Sequence, residues 1–313
     1  MSALSLTTAV ATYGHTRPLW DGTLSSDRVS LEHIELVPIT RAFRRMVRGL
    51  EFDMSEMALS TYLCARAHGK RMTALPVFLT RRFEHGQIVY NVKSGMNSPS
   101  DLTGRRVGVR SYTLTPGVWV RGILQHAYGV DLDEITWVLV GDEHVAEYNA
   151  PANVVSAPEG SDLETLLLAG DIDAAIGVNT ATSPDIRPLV SNPQHAAIDY
   201  YKQTGIYPIS HIAVVKDAML EAHPWLAEAL CTLFKTAKEY YLRQLNTDGT
   251  GDAQDKRMNE LRQVVGDDPL PYGIAANRAT LDAFIQFNVE QKVIPHAVNL
   301  EDLFPSNVLE FAA

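Results

Sequence analysis

Residues 48–87 bring together the side chains best able to do chemistry in this 313-residue chain. A short apolar run, Phe52-Asp53-Met54, reads as a strand that opens into Ser55-Glu56-Met57. An apolar helical pattern follows (Leu59, Tyr62, Leu63, Ala67), with Ser60 and Thr61 at its start. A second strand, Met72 to Phe78, delivers Arg81, Arg82, Glu84 and His85. Two successive strand-to-helix junctions therefore present a carboxylate, hydroxyls, guanidiniums and an imidazole. Ligands of open α/β sheets bind outside the carboxyl ends of strands, so the sequence places a cleft here. Imidazole and carboxylate are the groups that move protons near neutral pH.

The charge pattern indicates the ligand. The net charge is −10, yet residues 1–121 hold 16 Lys and Arg against 9 Asp and Glu, and the remainder 11 against 28. The basic part is mostly arginine, which suits bidentate contact with carboxylate or phosphate. An acidic protein with an arginine-rich half points to a small anionic ligand. A nucleic acid would demand an extended basic face. Arg41, Arg44, Arg45 and Arg48, on one predicted helix, read as a solvated face.

Positioning these groups takes a two-lobe α/β fold. Strands are expected over about Leu4–Thr12 and Glu35–Ile39, with a helix over Arg41–Gly49 capped by Thr40. Tyr13-Gly14-His15-Thr16-Arg17-Pro18 forms the loop after the first strand. Ile88–Val92 carries the chain out of the first lobe. Past Ser98 come a strand ending at Val109 and a helix over Pro116–Tyr128, with proline in its first turn. Tyr112, Thr113 and Thr115 at that helix start form a ready anion site. A strand over Thr136–Val140, the polar loop Gly141–Gly160 with Glu143, His144, Glu147 and Tyr148, a helix over Asp162–Ala169 and a strand over Ile172–Val178 complete the second lobe. Ile198–Tyr201 and Thr204–Val215 read as a crossover and a returning strand containing Tyr207 and His211. Helices over Pro224–Leu245, Ala253–Val265 and Asn277–Lys292 follow, with residues 246–252 as an exposed loop. Residues 1–94 and 204–313 thus make a discontinuous first lobe, 95–203 an inserted second lobe, and the ligand cleft lies between them.

Several classes are excluded or disfavoured. No dinucleotide, P-loop or nucleophile-elbow fingerprint occurs. No apolar run approaches the roughly 18 residues of a membrane span. Cys64 and Cys231, both in apolar helical patterns, lack metal-ligand spacing and read as buried thiols in a reducing compartment. The N-terminal MSALSLTTAVATYGHTR has neither a basic n-region nor a continuous apolar h-region, so a cytoplasmic location is expected.

The runs EFDMSEMALSTYL, PVFLTRRFEHGQIVYN, SDLTGRRVGV with TLTPGVWVRGIL, TGIYPISHIAVV with HPWLAEAL, and PYGIAANRATLDAFIQFNVEQ occur in order across nearly the whole chain. In these the protein resembles the 4,5-dihydroxyphthalate decarboxylase family. The resemblance implies a type II periplasmic-binding-protein-like fold and an aromatic acid carboxy-lyase needing no redox cofactor, with a divalent metal a minority option. A non-catalytic solute receptor and another lyase on the same fold are the alternatives, and the missing export signal favours the enzyme. Under that reading Arg81 grips a substrate carboxylate, or else pairs with Glu84 or Glu56. His85 is proton donor or phenol base, or caps a loop. His211 is a second acid–base group or a satisfied core histidine. Glu56 orients a histidine or accepts a phenolic proton, or caps a helix. Arg17, with His15 and Thr16, is a second carboxylate clamp or a loop arginine, and Ser60, Tyr112, Thr113, Thr115 and Tyr207 are further substrate contacts. Arg82 reads as solvated and Arg121 as structural, with Tyr272 and Glu290 in packing roles. Glu143, His144 and Glu147 read as a solvated loop rather than a metal site. The ligand is expected to be a small anionic aromatic carboxylate, with no nucleic acid or membrane partner and homo-oligomerisation left open.

Overall fold

The computed structural model of the protein describes residues 3–245 and 251–313. Its first stretch carries β1 (Leu4–Ala9), β2 (Val29–His33), α1 (Thr40–Gly49), β3 (Met54–Ala58), α2 (Leu59–Ala67) and β4 (Met72–Arg81). The chain then forms β5 (Ile88–Asn91), β6 (Arg106–Val109), α3 (Thr115–Tyr128), β7 (Thr136–Leu139), β8 (Val154–Ser156), α4 (Leu163–Ala169), β9 (Ala174–Ile176), β10 (Ile186–Pro188) and α5 (Pro193–Thr204). It returns as β11 (Ile209–Lys216) and ends in α6 (Asp217–Ala222), α7 (Leu226–Gln244), α8 (Ala253–Val265) and α9 (Arg278–Glu290). One sheet has the order β2-β1-β3-β11-β4 and the other β10-β5-β9-β6-β7-β8. β11 runs antiparallel between β3 and β4, so the returning strand lies inside the first sheet rather than at its edge.

The strand expected at Glu35–Ile39 forms instead at Val29–His33. There Val29 and Leu31 alternate with polar residues, whereas Pro38 in the expected segment has no N–H to give to a ladder. Ile198–Tyr201, read as extended, belongs to α5, which starts with Pro193 in its first turn and stops at Gly205 in a left-handed conformation; this is the pairing of proline start and glycine stop that helices favour. Residues 88–94, assigned above to the first lobe, include β5 of the second sheet. Of the expected loop 246–252, residues 246–250 lie outside the described residues.

The hydrophobic core runs unbroken through both halves. Phe43, Tyr62 and Phe78 join Trp119 and Trp137 in one buried cluster that also takes Phe284 from α9. Trp119 stacks on Phe284 with ring centroids 4.4 Å apart. Close approach of α9 to α3 depends on Gly122, where a Cβ would collide with the Phe287 ring. The C-terminal helix, placed above with the first lobe, therefore packs on a helix of the inserted one. Cys64 and Cys231 are buried free thiols. Among the described residues no helix is long and apolar enough to cross a membrane.

Arg41, Arg45 and Arg48 of α1 are exposed, as the solvated-face reading expects, and two of the helix's arginines also bind a neighbouring loop. Arg44 donates to the Asp142 carbonyl at 2.8 Å, and Arg48 to the carbonyls of His144 and Glu143 at 3.2 and 3.0 Å. The helix is thus bound to the 142–144 loop that follows β7. Arg45 pairs instead with Glu51.

Candidate active site

A cavity of about 510 Å³ opens where the loop after β1, the ends of β4 and β11, the start of α3 and one face of α8 converge. That volume is in the range of small-molecule sites. Its lining includes Tyr13, His15, Thr80, Arg82, Ser210, His211, Gln254 and Arg257. A second cavity of about 460 Å³ shares Arg82 and Pro116 with the first and adds Arg110 and Asn179.

Sheet register explains how the acid–base pair forms. Glu56 lies opposite Ala213 and His211 opposite Ala58, so the two occupy diagonal positions on one face, within reach of long side chains. His211 Nδ1 stands 2.6 Å from Glu56 Oε1. The same carboxylate accepts the Tyr13 hydroxyl at 2.7 Å and the Ala11 amide at 3.0 Å. Glu56 is therefore completely buried and fully hydrogen-bonded. Burial, the largest single influence, would raise its carboxyl, but the His211 hydrogen bond and charge together with the bonds from Tyr13 and Ala11 hold it below its ordinary value. Burial, then the neighbouring Glu56, pushes the Tyr13 phenol far up, so Tyr13 remains a donor. The bond from Nδ1 leaves His211 Nε2 free on the cavity side.

The pairing of β11 with β4 is irregular on both sides of His211. Such bulges re-aim side chains next to functional sites, and here consecutive residues, Ser210 and His211, both reach the cavity. Phe43 meets the imidazole edge-on at 5.0 Å and restrains its plane.

Three arginines, Arg81, Arg82 and Arg257, line this space. Arg82 Nε donates to both oxygens of Glu84 at 3.0 Å, which leaves its two terminal nitrogens unpaired among the described residues. Glu84 itself is buried, with its carboxyl raised by that burial. A planar fork held at its base and free at its tips suits a carboxylate. Neutral polar atoms complete the wall. Both ring nitrogens of His15, the Thr80 hydroxyl and the Ser210 hydroxyl are buried without a hydrogen-bond partner.

No protein-family model matches the chain. The 4,5-dihydroxyphthalate decarboxylase of Comamonas testosteroni is 33% identical to it over 327 aligned positions, covering 99% of each protein. The chain belongs to the 4,5-dihydroxyphthalate decarboxylase family. The protein of the same name from Pseudomonas putida is 35% identical over 215 positions, 64% of this chain and 83% of that one. Among solved structures, the periplasmic aliphatic sulphonate binding protein SsuA of Escherichia coli aligns over 99% of this chain and 100% of its own, with a TM-score of 0.55 at 12% identity. That likeness shows the fold: a two-lobe α/β architecture of the periplasmic-binding-protein type.

In this member of the decarboxylase family, Glu56 and His211 come together and the other expected contacts disperse. Glu56 sits inside a strand, not after one, because the strand is Met54–Ala58. Arg81 is buried and donates to the carbonyls of Tyr207 and Pro271 at 2.9 and 3.0 Å and to the Asn277 side chain. It lines the same cavity as His211 but is tied to the C-terminal part by these bonds, while Arg82, its neighbour, keeps two terminal nitrogens for a ligand. His85 lies apart, in a separate cavity beside Arg257 and Glu260 with its ring edge against Tyr200, and burial lowers it to about 4. Arg17 is exposed, beside Asp21 and Tyr240 in a different pocket. Tyr207 is packed among Phe83 and Tyr201 and donates to the Pro269 carbonyl at 3.3 Å.

The expected anion site at the start of α3 is filled from within. The amides of Tyr112 and Thr113 and the Thr113 hydroxyl all bind the Glu143 carboxylate. Thr115 and Ser60 bind each other at 2.9 Å, and the Ser60 hydroxyl donates to the Thr113 carbonyl. These residues join α2 to α3. The loop read as solvated is engaged as well. His144 is buried between Thr61 and Arg110, at 3.0 and 3.2 Å, and Glu147 pairs with Lys70 at 2.6 Å. Among the described residues no group of three or more His, Cys, Asp or Glu is placed to hold a metal ion.

From the sequence, Tyr13 and His15 are placed only in the loop after β1, His15 beside Arg17 as a carboxylate clamp; Arg82 reads as solvated, and Ser210 and Arg257 are not singled out. The first two were accessible: they follow β1, at a strand's carboxyl end like the residues that were chosen. Arg257, on a late helix with no local motif, carried no signal.

Proposed function

We propose that the protein is a carboxy-lyase that converts 4,5-dihydroxyphthalate, or a close relative, to protocatechuate and carbon dioxide. The observation that carries this is the match to a decarboxylase of that name along essentially the whole of both chains. The cavity supports it chemically. The reaction needs cations for two adjacent carboxylates and an acid for one ring carbon. Arg82 and Arg257 receive the carboxylates. His211 Nε2 gives a proton to the ring carbon bearing the leaving group, and Glu56 stabilises the imidazole while it carries that proton. The hydroxyl para to this carbon feeds electron density into the ring. The bond to the carboxylate then breaks, its electron pair returns to the ring, carbon dioxide leaves and aromaticity is restored. One proton is consumed per turnover, and His211 regains it from solvent through its partly exposed edge, 21% of the side chain. The change is redox-neutral, so we take the reaction to need no redox cofactor.

The test is carbon dioxide release from 4,5-dihydroxyphthalate by the purified protein, with and without a chelator, beside His211→Ala. Turnover that survives chelation and falls at least a hundredfold in the variant supports the reading. Loss on chelation assigns a metal to the mechanism. Tight binding of the substrate without turnover sinks the decarboxylase and favours a solute-binding protein.

A further inference from the structure

The cavity is lined by two chemically distinct sets of polar groups. Arg82 and Arg257 are permanent cations suited to carboxylates. His15, Thr80 and Ser210 are neutral, buried and unpartnered. A buried imidazole with neither nitrogen bonded is an exception in folded proteins and asks for an explanation.

His15 is held in place by other means than hydrogen bonds. Its ring stacks on Tyr13, centroids 5.3 Å apart and planes within 3°, and Tyr13 is fixed by the Glu56 carboxylate. Glu56 therefore orients two imidazoles: His211 directly, and His15 through a phenol. The Leu79 backbone acts on the ring without forming a full hydrogen bond, so a ring nitrogen is left to accept from or donate to a ligand. Thr80, opposite His211 in the β4–β11 register, adds a hydroxyl with the same freedom.

We propose that His15, with Thr80, recognises the vicinal hydroxyls of the substrate and makes the site selective for a hydroxylated phthalate over the bare diacid. This deepens the decarboxylase reading and rests on it. Burial lowers His15 to about 4, so at neutral pH it is an uncharged partner: right for a phenol and of no use as a counter-ion to a carboxylate. It accepts a hydrogen bond from the hydroxyl without taking the proton. A site built to bond a hydroxyl strongly rejects the analogue lacking it, because its own buried groups then go unpaired.

The experiment compares wild type with His15→Phe, which keeps the stack, His15→Asn, which keeps a donor and an acceptor, and Thr80→Val, which leaves the stack untouched. Dissociation constants are measured by calorimetry for protocatechuate (two hydroxyls) and phthalate (none), beside kcat/KM for 4,5-dihydroxyphthalate. His15→Phe is expected to weaken protocatechuate and lower kcat/KM by about tenfold or more while phthalate changes less than about twofold. Thr80→Val moves the same ratio in the same direction, and His15→Asn recovers part of the loss. Equal weakening of both ligands, or no weakening of either, overturns the assignment and leaves His15 a packing residue. Wild type that fails to release carbon dioxide overturns the decarboxylase reading separately, since the protocatechuate-to-phthalate ratio is read without turnover. Wild type that binds neither ligand overturns both.

Discussion

Glu56 Oε1 lies 2.6 Å from His211 Nδ1 across β3 and β11, and the same oxygen takes the Tyr13 hydroxyl at 2.7 Å. One buried carboxylate thus fixes the orientation of both the imidazole and the phenol. Glu56→Gln keeps the shape and removes the charge. It is expected to lower kcat by roughly 10²- to 10⁴-fold with KM little altered, measured as initial rates of carbon dioxide release. A variant that keeps near-wild-type kcat would show the pair to be merely structural.

The neighbouring arginines separate cleanly. Arg82→Met removes a guanidinium whose tips are free, so KM should rise about tenfold or more; buried Glu84 also loses its partner, so the melting temperature falls as well. Arg81→Met deprives buried acceptors at Tyr207, Pro271 and Asn277 of their donor and should cost about 2–4 kcal/mol of stability. Kinetics together with thermal unfolding of both variants decides. A KM that rises in Arg81→Met and not in Arg82→Met would return the clamp to Arg81.

Glu143 occupies the start of α3 as an internal anion. Glu143→Ala leaves the Tyr112 and Thr113 amides without their acceptor, and a loss of about 1–3 kcal/mol is expected. Sulfate or phosphate should restore part of it, because the emptied amides face an anion-sized gap. Denaturant midpoints with and without sulfate test this, with sodium chloride at equal ionic strength as the control.

Three buried histidines make stability pH-dependent. His15 and His85 are lowered to about 4 and His144 to about 3, burial being the chief cause in each. Their ordinary value is about 6.5, so below that pH the unfolded chain takes up protons that the folded one refuses. Stability is complete above pH ~6.5 and falls as the pH drops toward ~4, by at most ~1.4 kcal/mol per pH unit for each histidine. Glu84, raised by burial, acts in the opposite sense. Urea midpoints between pH 7.5 and 5 should fall, and His144→Gln should reduce the slope by about one proton. A midpoint independent of pH would contradict the neutral, buried state of these rings.

The sequence by itself determined much that depends on local order. Apolar periodicity placed most strands and the long helices, and ordered motifs pointed to the family. Glu56 and His211 were legible as reactive types in strand segments. Which groups share a space was decided only by the tertiary structure. Arg81 and Arg82 are adjacent in sequence, yet one is spent on backbone carbonyls of the C-terminal part and the other opens into the cavity. The partners of Arg81 at 207, 271 and 277 come from more than a hundred residues away, beyond the reach of any local pattern. The hydroxyls near the start of α3 read as an anion site, and only folding showed that Glu143, about 30 residues on, fills it. The irregular ladder at His211, which turns both Ser210 and His211 toward the ligand space, depends on the register between β11 and β4. A sequence states which groups are available, but the pairing of strands decides which of them are left without a partner, and those are the groups free to meet a substrate.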